Sequence, residues 1–404
     1  MARQDQPARA PGARRRVGIV AVLVGALVCG GALVWGVPRG EHHFARENPT
    51  VTLLPHGDLL VAGGFASPVW LGALREPGGA PSATAERYDP ATGRWHPAGA
   101  MATARLQHTA TPLRDGRILV AGGVTTLSDT TKTALASAEI YDPRDDTWHT
   151  TAPMDAPRAG HAATLLADGR VLVVGGRGYA TGADTAADVY DPTTDRWQQT
   201  GPMGRDRTGH AATLLADGRV LVVGGHTAVS YFDTAAEIYD PATNAWGAAG
   251  ALSMGRGDHT ITRLSDGRVL VAGGTGATGA LATTEWYDPA RDVWTSGSGL
   301  TRPRAGHTAT LLAAGVVLLI GGDGAGRRAT TEWYDPASGA WRAGQELLLP
   351  WEQHAAVLLP TGVVVVAGGG IMRETVERYA GAGALTARPY TGGGPSTGVA
   401  VLAR

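Results

Sequence analysis

Five copies of Arg-x-x-His recur along the chain: Arg105 with His108, Arg158 with His161, Arg207 with His210, Arg256 with His259, and Arg304 with His307. A sixth copy, Trp351-x-x-His354, keeps only the histidine. Acids recur at a matching spacing, as Glu86, Glu139, Asp188, Glu237, Glu285, Glu332 and Glu377. Imidazole and carboxylate bind metals and carry protons, so such a ring could hold an ion or act as a base. The same residue types also make a structural network, because a buried guanidinium must be paired and a carboxylate fork suits it. One copy per unit is what a structural device produces, whereas an active site uses a few unequal residues. Histidines spread one per unit around a wide channel also stand too far apart for several bonds of about 2 Å to one metal. The structural reading is therefore adopted. No catalytic residue, metal site or cofactor is assigned.

The elements that must carry these residues are repeats. A glycine pair closes an apolar run at Gly63-Gly64, Gly122-Gly123, Gly175-Gly176, Gly224-Gly225, Gly273-Gly274, Gly321-Gly322 and Gly368-Gly369. A tyrosine follows each pair, at Tyr88, Tyr141, Tyr190, Tyr239, Tyr287, Tyr334 and Tyr379, and all but the last begin Tyr-Asp-Pro. A tryptophan stands seven residues after each of those six: Trp95, Trp148, Trp197, Trp246, Trp294 and Trp341. Each unit reads as four strands, A to D. In the third, A runs from His161 to Ala167 and Asp168-Gly169 reads as a two-residue hairpin turn. B runs from Arg170 to Gly175, C is Asp188-Val189-Tyr190, Asp191-Pro192 starts a turn, and D begins at Trp197. Strands A and B are nearly continuous apolar runs, so both of their faces should be buried. A four-stranded unit near 50 residues is the size of a propeller blade and far longer than a solenoid rung.

These marks resemble the Kelch repeat over about residues 48–380. The resemblance implies an all-β fold, a seven-bladed Kelch-type β-propeller around a central channel, and the apolar run 17–37 is expected to precede it as one N-terminal hydrophobic helix. The last unit departs from the pattern, with Ala380 after Tyr379 and Thr386 where tryptophan is expected. The first has Pro49 where others have histidine. Thr50–Leu54 and Ser396–Leu402 both read as an inner strand for the ring's closing slot, and the hairpin spacing at His56-Gly57 favours the former. The expected organisation is a basic cytoplasmic N-terminus (1–16), a transmembrane anchor or signal peptide (17–37), a linker (38–47), the propeller (48–390) and a Gly-rich tail with a possible closing strand (391–404).

Arg14-Arg15-Arg16 precedes a run of 21 residues, Val17 to Val37, without a charge. About 20 apolar residues span a bilayer as a helix, and the flanking arginines place the rest outside the cytoplasm. The length suits an uncleaved signal-anchor. Gly30-Gly31-Ala32 offers a cleavage site that would make the protein secreted instead. Among 404 residues the lone cysteine, Cys29, lies in this run, so no disulfide forms within the domain. The formal net charge of −1 carries no nucleic-acid footprint.

Strand order alone places the B–C and D–A loops on one face and the Asp-Gly and Tyr-Asp-Pro turns on the other. The turn face repeats; the loop face varies, as recognition loops do. Its candidate ligand-binding residues are Trp70, Arg177, Tyr179, His226, Tyr231, Phe232, Asp233, Asp323, Arg327 and Arg328, aromatic and charged side chains of the kind that anchor partners. In many Kelch proteins this face binds the ligand. The expected function is a non-catalytic recognition module displayed outside the cytoplasmic membrane, for a glycan or a protein. The alternative is a carbohydrate-active isomerase or lyase with a site at the channel mouth. Galactose oxidase has a Kelch-like propeller, but its copper–radical chemistry needs a cysteine crosslinked to a tyrosine, which this domain lacks.

Overall fold

The structure, a computed structural model, describes residues 46–66, 80–126, 133–178, 182–183, 185–313, 315–322, 330–347, 354–368, 376–380, 386–389 and 399–403. No helix among them is long and apolar enough to cross a membrane, and the apolar run 17–37 lies outside them.

Six units form antiparallel four-stranded sheets in the order A-B-C-D, each one blade. In blade 1 the strands are Thr50–Leu53, Leu59–Ala62, Thr84–Asp89 and Arg94–Ala100. Blade 3 has Ala162–Leu165, Val171–Val174, Ala187–Asp191 and Arg196–Gln199, and blade 4 has Ala211–Leu214, Val220–Val223, Ala236–Asp240 and Ala245–Ala249. Strand B is fully buried in every blade, and strand A, at the channel, is half-buried. Alternation along B drives the packing, because successive side chains point to opposite faces. Ile118 and Val120 of blade 2 pack toward blade 1, whereas Leu119 and Ala121 pack with Val171, Val173 and Tyr190 of blade 3.

Seven equivalent blades were expected, and among the described residues six of the regular kind are found. The last unit builds a five-stranded sheet instead, with Ala355–Leu358, Val363–Ala367 and Val376–Ala380 inside. Val399–Ala403 lies next, parallel to Val376–Ala380, and Thr386–Pro389 is outermost. This unit lacks the Tyr-Asp-Pro turn and the tryptophan that hold the fourth strand elsewhere. Its inner strand sits between those of blades 1 and 6 and closes the ring. Thr50–Leu53 does occupy the inner slot of blade 1, and the C-terminal segment is an outer strand rather than a rival for it.

Two local readings need correction. The Asp-Gly turns are three-residue loops. Gly169 N–H donates to Leu166 O at 3.0 Å, Leu166 N–H donates to Arg170 O at 2.8 Å, and Gly169 alone has positive φ. This is a type I turn closed by a left-handed glycine, the usual three-residue hairpin. Asp168 instead caps the loop by accepting from Arg170 N–H. Arg46, expected to precede the propeller, is also bonded to blade 1, through Gly63 O and Thr84 O.

The outer strands are stapled by the tyrosine–tryptophan pair. Tyr190 and Trp197 lie opposite one another, ring centroids 4.9 Å apart, and the other regular blades repeat this at 4.9–5.1 Å. Trp197 Nε1 donates back to Ala152 O at 2.8 Å, and Trp148 Nε1 donates to Ala98 O at 2.8 Å, so each ring reaches the preceding blade.

The first glycine of each pair is a steric necessity. Gly175 has φ +63°, and a Cβ there would lie 2.7 Å from both Arg207 O and His210 Cε1. Gly218, in an open hairpin loop, meets nothing closer than 3.9 Å. Gly218→Ala should cost about 1 kcal/mol through its left-handed backbone alone, and Gly175→Ala should cost more than about 2 kcal/mol because the collision adds to it. Denaturant unfolding of the two variants checks this, and equal losses would contradict the steric account.

Candidate functional site

The Arg-x-x-His segments lie in the D–A loops, where each arginine is wholly buried. Arg207 shows the pattern. Its Nη1 donates to the carbonyls of Gly224 at 2.7 Å and Ala235 at 2.9 Å, and its Nη2 donates to Glu237 Oε1 at 2.8 Å. Arg105 does the same with Gly122, Ser137 and Glu139; Arg158 with Gly175, Ala186 and Asp188; Arg256 with Gly273, Thr283 and Glu285; and Arg304 with Gly321, Thr330 and Glu332. The carboxylate's other oxygen takes the loop backbone, as Glu237 Oε2 accepts from Gly204 N–H at 2.6 Å and Glu285 Oε2 from Ser253 N–H at 2.7 Å. Burial lowers the pKa of Arg105 and Arg256, with Glu139 and Glu285 opposing it.

Sequence reasoning missed a sixth arginine. Arg46 reaches Gly63 O at 2.9 Å, Thr84 O at 3.0 Å and Glu86 at 3.3 Å. The available signal was its place three residues before Pro49, the position histidine takes elsewhere.

While each arginine side chain holds its own blade, its backbone carbonyl holds the blade before. Gly64, Gly123, Gly176, Gly225 and Gly274 donate N–H bonds of 2.7–3.0 Å to the carbonyls of Arg105, Arg158, Arg207, Arg256 and Arg304. The histidines do not line the channel as a cluster; they are buried between blades. His108, His161, His307 and His354 place Nε2 2.9–3.0 Å from the hydroxyls of Thr50, Thr109, Thr260 and Thr308 on the preceding strand A. For His210 and His259 the equivalent residues are Ala162 and Ala211, which offer no hydroxyl. Burial drives the pKa of His108, His210, His259 and His307 down to about 3 and that of His161 well below 6.5, and the adjacent arginines push the same way. Among the described residues no three His, Cys, Asp or Glu side chains converge as a metal set.

The mouth on the loop face is rimmed by the residues that precede the histidines. Gln107, Gly160, Gly209, Asp258 and Gly306 all have φ of +53 to +63°. They form a chain in which Gly160 N–H donates to Gln107 O, Gly209 N–H to Gly160 O, Asp258 N–H to Gly209 O and Gly306 N–H to Asp258 O. Behind the rim the B–C loops pair with the D–A loops, as at Ala159 with Arg177 and Thr208 with His226, so the two loop sets do share a face.

Of the candidate binding residues, Trp70, Tyr179, Asp323, Arg327 and Arg328 lie outside the described residues. Arg177 is exposed on this face. His226, Tyr231 and Phe232 gather in one loop, with ring centroids 5.0–5.3 Å apart. Tyr231 is 78 % exposed, and Val229, which sequence reasoning passed over, is 97 % exposed. Asp233 departs from its expected role: it is buried behind the loop, 3.4 Å from Arg207, and anchors the loop instead of facing a partner.

A family profile described as "KLHDC2/KLHL20/DRC7 Kelch-repeats domain" matches residues 107–322, more than half of the chain, and a Kelch motif matches residues 53–102. The chain belongs to the Kelch-repeat family. Curated relatives include Kelch-like protein terF of Aspergillus terreus, 32% identical over 95 residues, which are 23% of this chain and 20% of that protein. Kelch-like protein 36 of Bos taurus is 29% identical over 143 residues, covering 35% of this chain and 22% of that protein. This Kelch chain thus matches only about a fifth of the length of each. Among solved structures it is similar to a fungal alcohol oxidase of the AA5 family in complex with copper. The TM-score is 0.63 at 18% identity, over 81% of this chain and 71% of that one, a likeness of fold.

Two measurements test the histidine layer. Ala211→Thr should give His259 the hydroxyl its neighbours have and raise stability by about 1 kcal/mol; no gain in chemical denaturation would refute the pairing. The neutral histidines also set a pH dependence. Their folded pKa values lie below the unfolded value of about 6.5, so stability is full above that pH and is lost as pH falls toward about 3. Each histidine contributes up to about 1.4 kcal/mol per pH unit in that window. Unfolding midpoints that stay level between about pH 7.5 and 5 would rule this out.

Proposed function

We propose that this Kelch-repeat chain is a non-catalytic recognition module that binds a protein partner through its loop face. The observation that carries this reading is the contrast between its two faces. The turn face repeats one device in blades 2 to 5, a three-residue loop whose aspartate pairs with the arginine two residues on: Asp115 with Arg117, Asp168 with Arg170, Asp217 with Arg219 and Asp266 with Arg268. Such uniformity serves the fold. On the loop face the B–C connections differ in length, from residues 65–83 in blade 1 to 323–329 in blade 6. That variation is where binding specificity is usually carried. Exposed Tyr231 and Val229 add apolar area there. Kelch-repeat domains are typically protein-interaction modules, which favours a protein over a glycan. The apolar run 17–37 behind three arginines supports display outside the cytoplasmic membrane.

The test is photocrosslinking in the native cell from benzoylphenylalanine placed at Val229 or at His56, an exposed residue of the turn face. A discrete adduct from position 229, absent from position 56 and removed by Tyr231→Ala, is the expected result. Equal labelling from both faces, or none with well-folded protein, would overturn the reading; a positive glycan array with no adduct would move the ligand to sugar. Protease accessibility of the domain in spheroplasts tests the display.

A further inference from the structure

We propose that His226, the carboxylate of Asp258 and the carbonyl of Tyr231 form a proton-operated latch, which holds the loop 226–233 against the mouth rim at lower pH and loosens its tip as pH rises.

The argument starts from hydrogen-bond chemistry. His226 Nδ1 lies 2.6 Å from Tyr231 O, and Nε2 lies 3.5 Å from Asp258 Oδ2. A carbonyl and an ionised carboxylate can only accept, whereas a neutral imidazole has one N–H to give and the cation has two. Only the imidazolium serves both partners. Loss of the proton turns a nitrogen lone pair either on the Tyr231 carbonyl or on the Asp258 carboxylate, and that contact becomes repulsive. The hydrogen bond to Asp258 is the largest influence on His226 and raises its pKa above the ordinary 6.5, while partial burial opposes the shift.

Other charged groups around the loop fit this assignment. Arg177, on the B–C loop of the preceding blade, disfavours the proton but does not outweigh Asp258. Asp206, on the D–A loop entering blade 4, is engaged by Ala228 N–H at 2.6 Å. Asp233 is taken up behind the loop by Arg207 at 3.4 Å and Arg205 at 3.5 Å. The site is shaped for an imidazole, since a Cβ on Gly209 would lie 3.0 Å from His226 Cδ2 and one on Gly257 would collide with the ring.

The latch crosses a blade boundary, because His226 leaves blade 4 and Asp258 belongs to the loop entering blade 5. The base of the loop is held separately, by backbone bonds between His226 and Thr208 at 2.7 and 3.0 Å and from Asp233 N–H to Gly225 O at 2.9 Å. Release therefore removes the tie of His226 to the tip that carries Val229 and Tyr231, loosening it about the remaining bond from Ala228 N–H to Asp206, and leaves the blade intact. The raised pKa means that the latch is closed below it and lost as pH climbs through it, opposite in sense to the buried ring histidines. That the latch regulates partner binding rests on the function proposed above; the latch itself does not.

Hydrogen exchange of the full chain tests it without any partner. Exchange within 227–233 is compared between the wild type, Asp258→Asn and His226→Gln, at about pH 6 and again at about pH 8.5, so that intrinsic exchange chemistry cancels at each pH. Asparagine tolerates the φ of +53° at position 258. At the lower pH the wild-type loop should exchange roughly threefold to fivefold more slowly than either variant, and at the higher pH all three should coincide. Identical exchange at both values, or a difference that persists at the higher one, would overturn the latch. Crosslinking from position 229 is then repeated at both values. A latch that titrates without any adduct removes the binding reading alone, and an adduct without titrating exchange removes the latch alone.

Discussion

A guanidinium taken out of water must recover its hydrogen bonds from the protein, and that demand organises this ring. Desolvating such an ion is costly unless its donors are all met, and removing one partner of a buried pair is costlier still. Arg105, Arg158, Arg207, Arg256 and Arg304 answer the demand at their Nη atoms with two backbone carbonyls and a carboxylate of their own blade, while the buried Nε of Arg105 and of Arg158 has no hydrogen-bond partner. Because the arginine sits on the connection arriving from the previous blade, the connection is drawn down onto the new one. Its carbonyl then accepts the N–H of the previous blade's second glycine. One residue type thus ties a blade to its own inlet and to its neighbour. Glycine is required opposite it, since a side chain at Gly122 or Gly175 would occupy the space of the arginine carbonyl and the histidine ring.

The histidines complete the same joint from the channel side. Each lies on the strand A of the blade before it, neutral because burial and the adjacent guanidinium both disfavour its charge. Where strand A begins with threonine the imidazole is hydrogen-bonded, and at the two boundaries of blade 4 it begins with Ala162 or Ala211. Blade 4 is also where the loop with Val229 and Tyr231 stands clear of the surface and where His226 reaches across to Asp258. The missing hydroxyls and the exposed loop therefore coincide at one blade, while the arginine device runs through it unchanged.

The repeat spacing, the four-strand unit and the arginine–acid pairing were legible because each recurs, and recurrence at fixed spacing admits few packings. Legibility failed where the chain stops repeating. Ser396–Leu402 reads as a possible inner strand, yet Val399–Ala403 pairs outside Val376–Ala380, in a unit without the tryptophan that normally holds that slot. Arg46 was hidden because Pro49 breaks the motif it heads. Asp233 read as a surface acid because nothing in its neighbourhood along the chain reveals Arg207 behind it, a contact formed only when two loops meet.

By itself the sequence determined the all-β repeat of four-stranded units and the division into a more uniform and a variable face, since strand order and the places of the turns follow from local periodicity and from residues such as Gly169 and Asp191. It determined too that the ring arginines need acids. Tertiary structure alone decided that the histidines lie between blades and not in the channel, that the mouth is rimmed by a chain of backbone hydrogen bonds, and that His226 faces two acceptors. These depend on how adjacent blades are turned against one another. That angle is set by the packing of whole sheets, and no spacing along a single chain encodes it.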